Sequence, residues 1–250
     1  QAHEQASHST REPGWTDLRA RLTEALLTVN LRQAHLLVNT AATLFPIEDL
    51  VLELFYPSLT DVGMRWVSGE VCVAQEHVVA NFIRQRLLAL TQLHAPFSNG
   101  PRLVCACAPG ELHELGLLMF ALLMEQRGWE LVYVGQSLSP EGLAEFLTPL
   151  RPALVVLSAT MTEHAAGLLE LATIVDSLRS QRIALAYSGR VFERNPELRH
   201  HVPGLFLGLD LREAVARADA LRDDLDPDRW YAHAGMSPRM ASHGELSIGG

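Results

Sequence analysis

Two short groups of residues in this chain have the types and spacing to bind a ligand or a metal ion. The first is Glu-Leu-His-Glu-Leu-Gly at residues 111–116, which places Glu111, His113 and Gly116 directly after an apolar run. An imidazole suits a transition metal, and a carboxylate two residues earlier can accept the other ring N–H and fix the tautomer. A glycine lets a bulky group approach without a Cβ in its way. A helix-capping glutamate beside a surface histidine explains the same residues equally well.

The second group lies earlier in the chain, where Trp66 is followed after nine residues by Glu76 and His77. A tryptophan among helices is usually a core residue, and an acid in the first turn of a helix favours the helix dipole. Adjacent residues point about 100° apart on a helix. Glu76 and His77 therefore serve one site only if that site lies over the N-terminal end of their helix.

The elements that position the second group are helical. Apolar residues recur at helical spacing from Trp15 to about His94 and predict four helices. Pro46 ends the second of these, and Pro57 lies inside the third or kinks it. Four helices with short connections predict an N-terminal four-helix bundle.

The elements that position the first group indicate a different fold. Five short apolar runs alternate with helical stretches and predict a parallel sheet covered by helices on both faces, which is a flavodoxin-like (Rossmann-like) α/β domain. The predicted strands are 103–108, 131–135, 153–159, 183–189 and, more weakly, 204–208. Ligands bind to this fold beyond the carboxyl ends of the strands, where residues 111–116 follow the first strand. The predicted fold class is therefore α + α/β.

The loop-forming residues 95–101 (APFSNGP) are the best candidate for a boundary between the two domains. The predicted organisation has four parts. They are a flexible lead-in at 1–13, a helical-bundle cap domain at 14–97, an α/β domain at 98–222 and a C-terminal tail at 223–250.

Composition excludes several classes of function. All 20 basic residues are arginine, which excludes a Schiff-base lysine, a P-loop lysine and a kinase lysine. The net charge of -9 argues against a nucleic-acid-binding face. Three cysteines do not indicate a disulfide framework, and no apolar run reaches the roughly 18 residues of a membrane span. We therefore expect a cytoplasmic protein that contacts neither nucleic acid nor membrane.

The two groups together are more informative than either alone. A helical bundle with Trp-x9-Glu-His, followed by a flavodoxin-like domain that opens with Glu-x-His-x-x-Gly, resembles the cobalamin-binding module of light-sensing bacterial regulators of the CarH/LitR type. The resemblance covers residues 15 to 220. It implies that His113 binds cobalt from below and displaces the dimethylbenzimidazole base, giving base-off/His-on cobalamin.

The resemblance also implies where the rest of the cofactor binds. The nucleotide tail would insert beside the sheet, and the bundle residues would pack around an upper adenosyl group. The implied cofactor-binding residues are Trp66, Glu76, His77, Glu111, His113, Gly116, Ser158, Thr160, Ser188 and Gly189. Cobalt would be bound through His113 alone.

The chain departs from the family pattern at three points. Val67 stands where the family has a histidine that ligates cobalt after photolysis, so only His77 or Cys72 is near enough to replace it. Ser188 replaces a glycine of the turn beside the nucleotide tail. The helix-turn-helix that precedes this module in repressors is not found in the sequence. We therefore expect output through self-association, a protein partner or a domain outside this sequence.

The predicted function is an adenosylcobalamin-binding light sensor or signalling protein that is not an enzyme. Loss of the adenosyl group in light would change the conformation of the protein or its oligomeric state. We expect the protein to form a homodimer or larger homo-oligomer and to have a regulatory protein partner. One alternative is a corrinoid carrier subunit of a methyltransferase, although those proteins have Gly-Lys-Asn where this chain has Gly116-Leu117-Leu118. A second is a combined cobalamin and bilin photoreceptor, in which Trp230, Tyr231 and His233 help to hold the bilin.

Overall fold

The computed structural model describes residues 14–93 and 100–223. The chain divides into two compact units between Arg86 and Leu87. The predicted lead-in 1–13 and all of the predicted tail beyond residue 223, with Trp230, Tyr231 and His233, lie outside the described residues. Within the described ranges, no helix is long and apolar enough to cross a membrane.

The N-terminal unit is helical, as predicted. Its elements are α1 (Trp15–Leu27), α2 (Leu31–Leu44), α3 (Ile47–Asp49), a π-helical segment (Leu50–Phe55), α4 (Tyr56–Val67) and the part of α5 (Val73–Leu93) that ends at Arg86. Asn30 caps α2 because its side-chain oxygen accepts the backbone N–H of Gln33. Leu22, Leu26 and Ile83 are fully buried and form part of the core of this unit.

The third predicted helix runs from α3 through the π-helical segment into α4, and its irregularity comes just before Pro57. Proline has no N–H, and its ring crowds the carbonyl four residues earlier in an α-helix. The preceding turn is widened, and the N–H of Tyr56 bonds to the carbonyl of Val51, five residues back. The sequence predicted a disturbance at Pro57, and the structure shows a π-helical turn there.

The second unit is the predicted five-stranded parallel α/β domain. Its strands are β1 (Arg102–Cys107), β2 (Glu130–Gly135), β3 (Leu154–Ser158), β4 (Ala184–Ser188) and β5 (Leu205–Phe206). Its helices are α6 (Leu115–Gln126), α7 (Leu143–Leu150), α8 (Ala165–Ser177), α9 (Val191–Arg194) and α10 (Leu211–Ala220). The strand order is β2-β1-β3-β4-β5, and every pair is parallel.

The core of this unit follows the alternation of side chains along the strands. Val104, Val155 and Leu185 belong to one buried apolar cluster, together with Leu168 and Leu171 of α8. Cys105 and Cys107 alternate with the members of this cluster along β1, and both are buried free thiols. Nearly all of α6 is buried as well, which explains its almost uniformly apolar sequence.

The sheet order sets the position of the ligand-binding edge. The chain runs from β1 to β2 on one side of β1, and then crosses to β3 on its other side. This reversal is the topological switch point, beside which ligands bind in open α/β sheets. Cys107, Ser158 and Ser188 lie in register at the ends of three neighbouring strands. The loops that follow them therefore begin at one level of the sheet.

Candidate functional site

The centre of the site is the carboxylate of Glu111, in the loop between β1 and α6. This side chain is fully buried. One carboxylate oxygen accepts the backbone N–H groups of Thr160 (2.7 Å) and Met161 (3.0 Å) from the loop after β3, and the other accepts that of His113 (2.9 Å). Burial alone would raise the pKa of Glu111, but these bonds and the one from the His113 ring outweigh it and lower the pKa to about 2. The carboxylate is therefore ionised at neutral pH.

His113 is held by this carboxylate but is exposed on its other side. Its Nδ1 lies 2.6 Å from Oε1 of Glu111, and 59% of its side chain is exposed. An ionised carboxylate accepts a hydrogen bond at this distance, so Nδ1 carries the ring N–H and Nε2 is the ring nitrogen that could bind a metal. The pair therefore places an oriented imidazole at the carboxyl edge of the sheet.

The described residues contain no group of three or more histidine, cysteine, aspartate or glutamate side chains that could hold a metal ion. Structural zinc needs four protein ligands and catalytic zinc needs three. A single histidine oriented by a carboxylate is the arrangement in which a proximal histidine holds a metal that a macrocycle already coordinates, as in haem proteins.

Two glycines predicted to lie at the site differ in what surrounds them. Gly116 is exposed, and a Cβ built there would meet no atom within 4 Å. The packing of the protein therefore does not require this glycine, and space is open beside it. Gly189 has φ +125°, and a Cβ there would lie 2.0 Å from the carbonyl oxygen of Ala159. Gly189 is needed for the close approach of the loops after β3 and β4.

The remaining predicted residues of this unit lie at the same edge of the sheet. Thr160 donates its backbone N–H to Glu111, and the carbonyl of Ser158 accepts the N–H of Ala108 (2.9 Å). The hydroxyl of Ser188 donates to the carbonyl of Gly208 (2.7 Å). The structure thus joins Glu111, His113 and Thr160 directly, while Ser188 is bonded toward the loop after β5.

Of the predicted residues of the helical unit, Trp66 and His77 are exposed and Glu76 is partly buried. Trp66, near the end of α4, is 46% exposed, and its neighbours Met64 and Val67 are exposed as well. The simple explanation that Trp66 is a core residue is therefore wrong. Exposed apolar side chains in such a group are typical of a ligand or interaction surface.

Glu76 and His77 lie in the first turn of α5. The carboxylate of Glu76 is 2.6 Å from Nδ1 of His77, and the side chains are 30% and 68% exposed. The two side chains therefore contact each other near the start of this helix. Cys72, directly before α5, is also exposed.

Sequence reasoning missed several polar contacts around the loop between β1 and α6. Glu114 is buried, and its carboxylate accepts the hydroxyl of Tyr133 (3.0 Å). Burial and the nearby Glu114 raise the pKa of Tyr133, so the phenol stays protonated. The ring of His164 packs against Gly110, where a Cβ would come within 2.9 Å of it.

Comparisons with known proteins agree with this geometry. Residues 101–209 match a family model described as a B12 binding domain, and residues 18–91 match a second model with that description. The transcriptional repressor CarH of Myxococcus xanthus is 42% identical over 114 residues, which are 45% of this chain and 38% of the repressor. The repressor CarA of the same organism is 28% identical over 172 residues, which are 68% of this chain and 56% of that protein. Both matches thus cover less than two thirds of the relatives.

A solved structure shows the same fold. The monomethylamine corrinoid protein of Methanosarcina barkeri aligns with a TM-score of 0.68 over 82% of this chain and 99% of its own, at 17% identity. At that identity the likeness establishes the arrangement of helices and strands and nothing more specific.

Proposed function

Because residues 101–209 and residues 18–91 each match a model of a B12 binding domain, we propose that the chain binds adenosylcobalamin and acts as a light sensor or signalling protein. The observation that carries the proposal is the buried, ionised Glu111, which holds the exposed imidazole of His113 in one tautomer. In the proposed complex, Nε2 of His113 is the lower ligand of cobalt, and the nucleotide base of the cofactor is displaced.

Several residues at the carboxyl edge would bind the displaced nucleotide tail. Gly116 leaves open space at the start of α6, and Ser158 and Ser188 lie in register at the ends of β3 and β4. We propose that Gly116, Ser158, Thr160, Ser188 and Gly189 line the tail. Gly189 also has a structural role, because only glycine fits beside Ala159.

The helical unit would supply the residues that contact the adenosyl group. We propose that the exposed indole of Trp66 covers the adenosyl group and that Glu76 accepts hydrogen bonds from its ribose hydroxyls, with His77 beside it. When bound, the cofactor supplies the light absorption and a photolabile bond to the adenosyl group. Loss of that group would remove contacts of Trp66 and would bias the protein towards a second conformation or assembly.

For the output, we propose a homodimer or larger homo-oligomer with a regulatory protein partner, acting in the cytoplasm and without catalysis. The relatives named above are transcriptional repressors, which supports a regulatory function. The acidic chain, with 29 acidic against 20 basic residues, supports an output that does not involve direct contact with nucleic acid or membrane.

The test is an absorption spectrum of the purified protein with adenosylcobalamin, recorded in the dark and after green light, with size-exclusion chromatography of both samples. We expect a His-on spectrum in the dark, and a changed spectrum and elution volume after illumination. Methylcobalamin is the matched ligand. Tighter retention of methylcobalamin than of adenosylcobalamin, with no change in assembly, would favour a corrinoid carrier. A long-wavelength band that does not come from cobalamin would instead indicate a bilin.

A further inference from the structure

The loop between β1 and α6 is held from the side of β2 by residues that the proposed function does not use. Ser137, two residues after β2, accepts the backbone N–H of Gly110 at its hydroxyl oxygen (3.0 Å) and donates its own N–H to the carbonyl of Glu111 (3.1 Å). The side-chain amide of its neighbour Gln136 donates to the carbonyl of Leu112 (2.7 Å). The three residues directly before His113 are therefore each bonded to the loop after β2.

The backbone of Ser137 is in an unfavourable conformation. Its φ is +50°, in the left-handed region that residues with a Cβ rarely adopt. Such a residue persists only where its surroundings hold it, and such residues cluster at ligand-binding sites. Here the hydroxyl oxygen and the N–H of this one residue both bond to the loop that carries His113.

The opposite side of the same loop is held by the segment after β3. Thr160 and Met161 donate to the carboxylate of Glu111, and His164 packs against Gly110. The loop thus lies between two neighbouring loops at the switch point of the sheet. Only the contacts from the β3 side reach the carboxylate itself, whereas those from the β2 side fix the backbone that carries it.

We propose that Ser137 is a positioning residue for His113. By fixing the backbone at Gly110 and Glu111, Ser137 orients the carboxylate and hence the imidazole toward the cobalt of a bound corrinoid. Gln136 supports the same loop at Leu112. This inference rests on the proposed function, because it concerns the histidine that would bind cobalt.

The test measures how much bound adenosylcobalamin is in the His-on form, from absorption spectra of the saturated protein in the dark. Ser137→Ala removes the acceptor of the Gly110 N–H. We expect the ratio of His-on to His-off cofactor to fall about tenfold, at the lower end of the loss seen when groups that orient metal ligands are removed. Ser139→Ala is the matched control, since the Ser139 hydroxyl accepts the nearby N–H of Glu141 (3.3 Å), and it should leave the ratio unchanged.

Two further variants separate the hydroxyl from the backbone. Ser137→Gly removes the hydroxyl and relieves the left-handed conformation, and should lower the ratio as Ser137→Ala does. Gln136→Ala should lower the ratio less. If neither Ser137 variant folds, the Gln136 variant shows whether the contacts from the loop after β2 position His113. A melting temperature for each variant identifies a purely structural role, which would lower stability while leaving the spectrum of the folded protein unchanged.

The outcomes separate the two proposals. A wild-type protein that is His-on, with variants at Ser137 and Gln136 that give the same spectrum, would overturn the positioning role alone. A wild-type protein that does not bind the cofactor in the His-on form would overturn the proposed function and the positioning role together.

Discussion

Replacing Glu111 by glutamine should destabilise the cofactor-free protein and remove part of its pH dependence. The carboxyl has a pKa of about 2 in the folded chain against an ordinary value of 4.5. Each pKa unit corresponds to about 1.4 kcal/mol, so ionisation of this buried group contributes about 3 kcal/mol to folding at neutral pH. Glutamine loses this contribution. In addition, its NH₂ group would face backbone or ring N–H donors in either orientation of the amide, and two facing donors cannot form a hydrogen bond.

The sign of the pH effect follows from the lowered pKa. A carboxyl with a lowered folded-state pKa contributes fully above about pH 5, and its contribution is lost as the pH falls towards 2. Urea unfolding followed by circular dichroism at pH 7, 5 and 3 should give a free-energy gap of about 3 kcal/mol between wild type and Glu111→Gln at pH 7 that narrows towards pH 3. Glu163→Gln, an exposed glutamate after β3, is the control. A gap below about 1 kcal/mol at pH 7, or one that stays constant with pH, would refute the account of Glu111.

Three further substitutions test other parts of the site. Gly189→Ala should destabilise the cofactor-free protein by more than about 2 kcal/mol in urea unfolding, because its Cβ would collide with Ala159 in a left-handed backbone. Gly116→Ala should stabilise the cofactor-free protein by about 0.5–1 kcal/mol in the same assay, because Gly116 lies within helix α6 with open space beside it. The same substitution should weaken cobalamin binding in equilibrium titrations. Trp66→Ala should change the melting temperature little, because the indole is half exposed, but should shorten the retention of adenosylcobalamin more than that of methylcobalamin in dark gel filtration. If Trp66→Ala retained each of the two ligands for as long as the wild-type protein does, the assigned role of Trp66 would be contradicted.

The fold was predictable because its pattern is local and repeated. Apolar runs such as Leu103–Ala108 alternate with helical stretches and indicate a parallel sheet without any knowledge of long-range contacts. The pairing of Glu111 with His113 was predictable for the same reason, since the two residues are separated by one position and flank a turn. The assignment of the cofactor came from the resemblance, which joined motifs in two separate domains.

The contacts that the sequence did not predict are those between loops. Ser137 bonds to Gly110, which lies 27 positions earlier in the chain. Its left-handed conformation could not be predicted from the sequence, because serine is not a residue type that indicates a positive φ. Glu111 accepts two N–H groups from residues about fifty positions later, which a short motif does not contain. Taken alone, Trp66 favoured a core position, yet its side chain is exposed, because residue type alone does not fix burial.

The most direct test of the central claim is electron paramagnetic resonance of cob(II)alamin bound to protein whose histidines carry ¹⁵N. An axial nitrogen couples to the unpaired electron of cobalt, and ¹⁴N splits each cobalt line into a triplet whereas ¹⁵N splits it into a doublet. If His113 is the lower ligand, the labelled protein should give doublets, and labelled His113→Ala should not. Triplets in the labelled wild-type protein would mean that the nucleotide base of the cofactor still binds cobalt, which would contradict the assignment of His113.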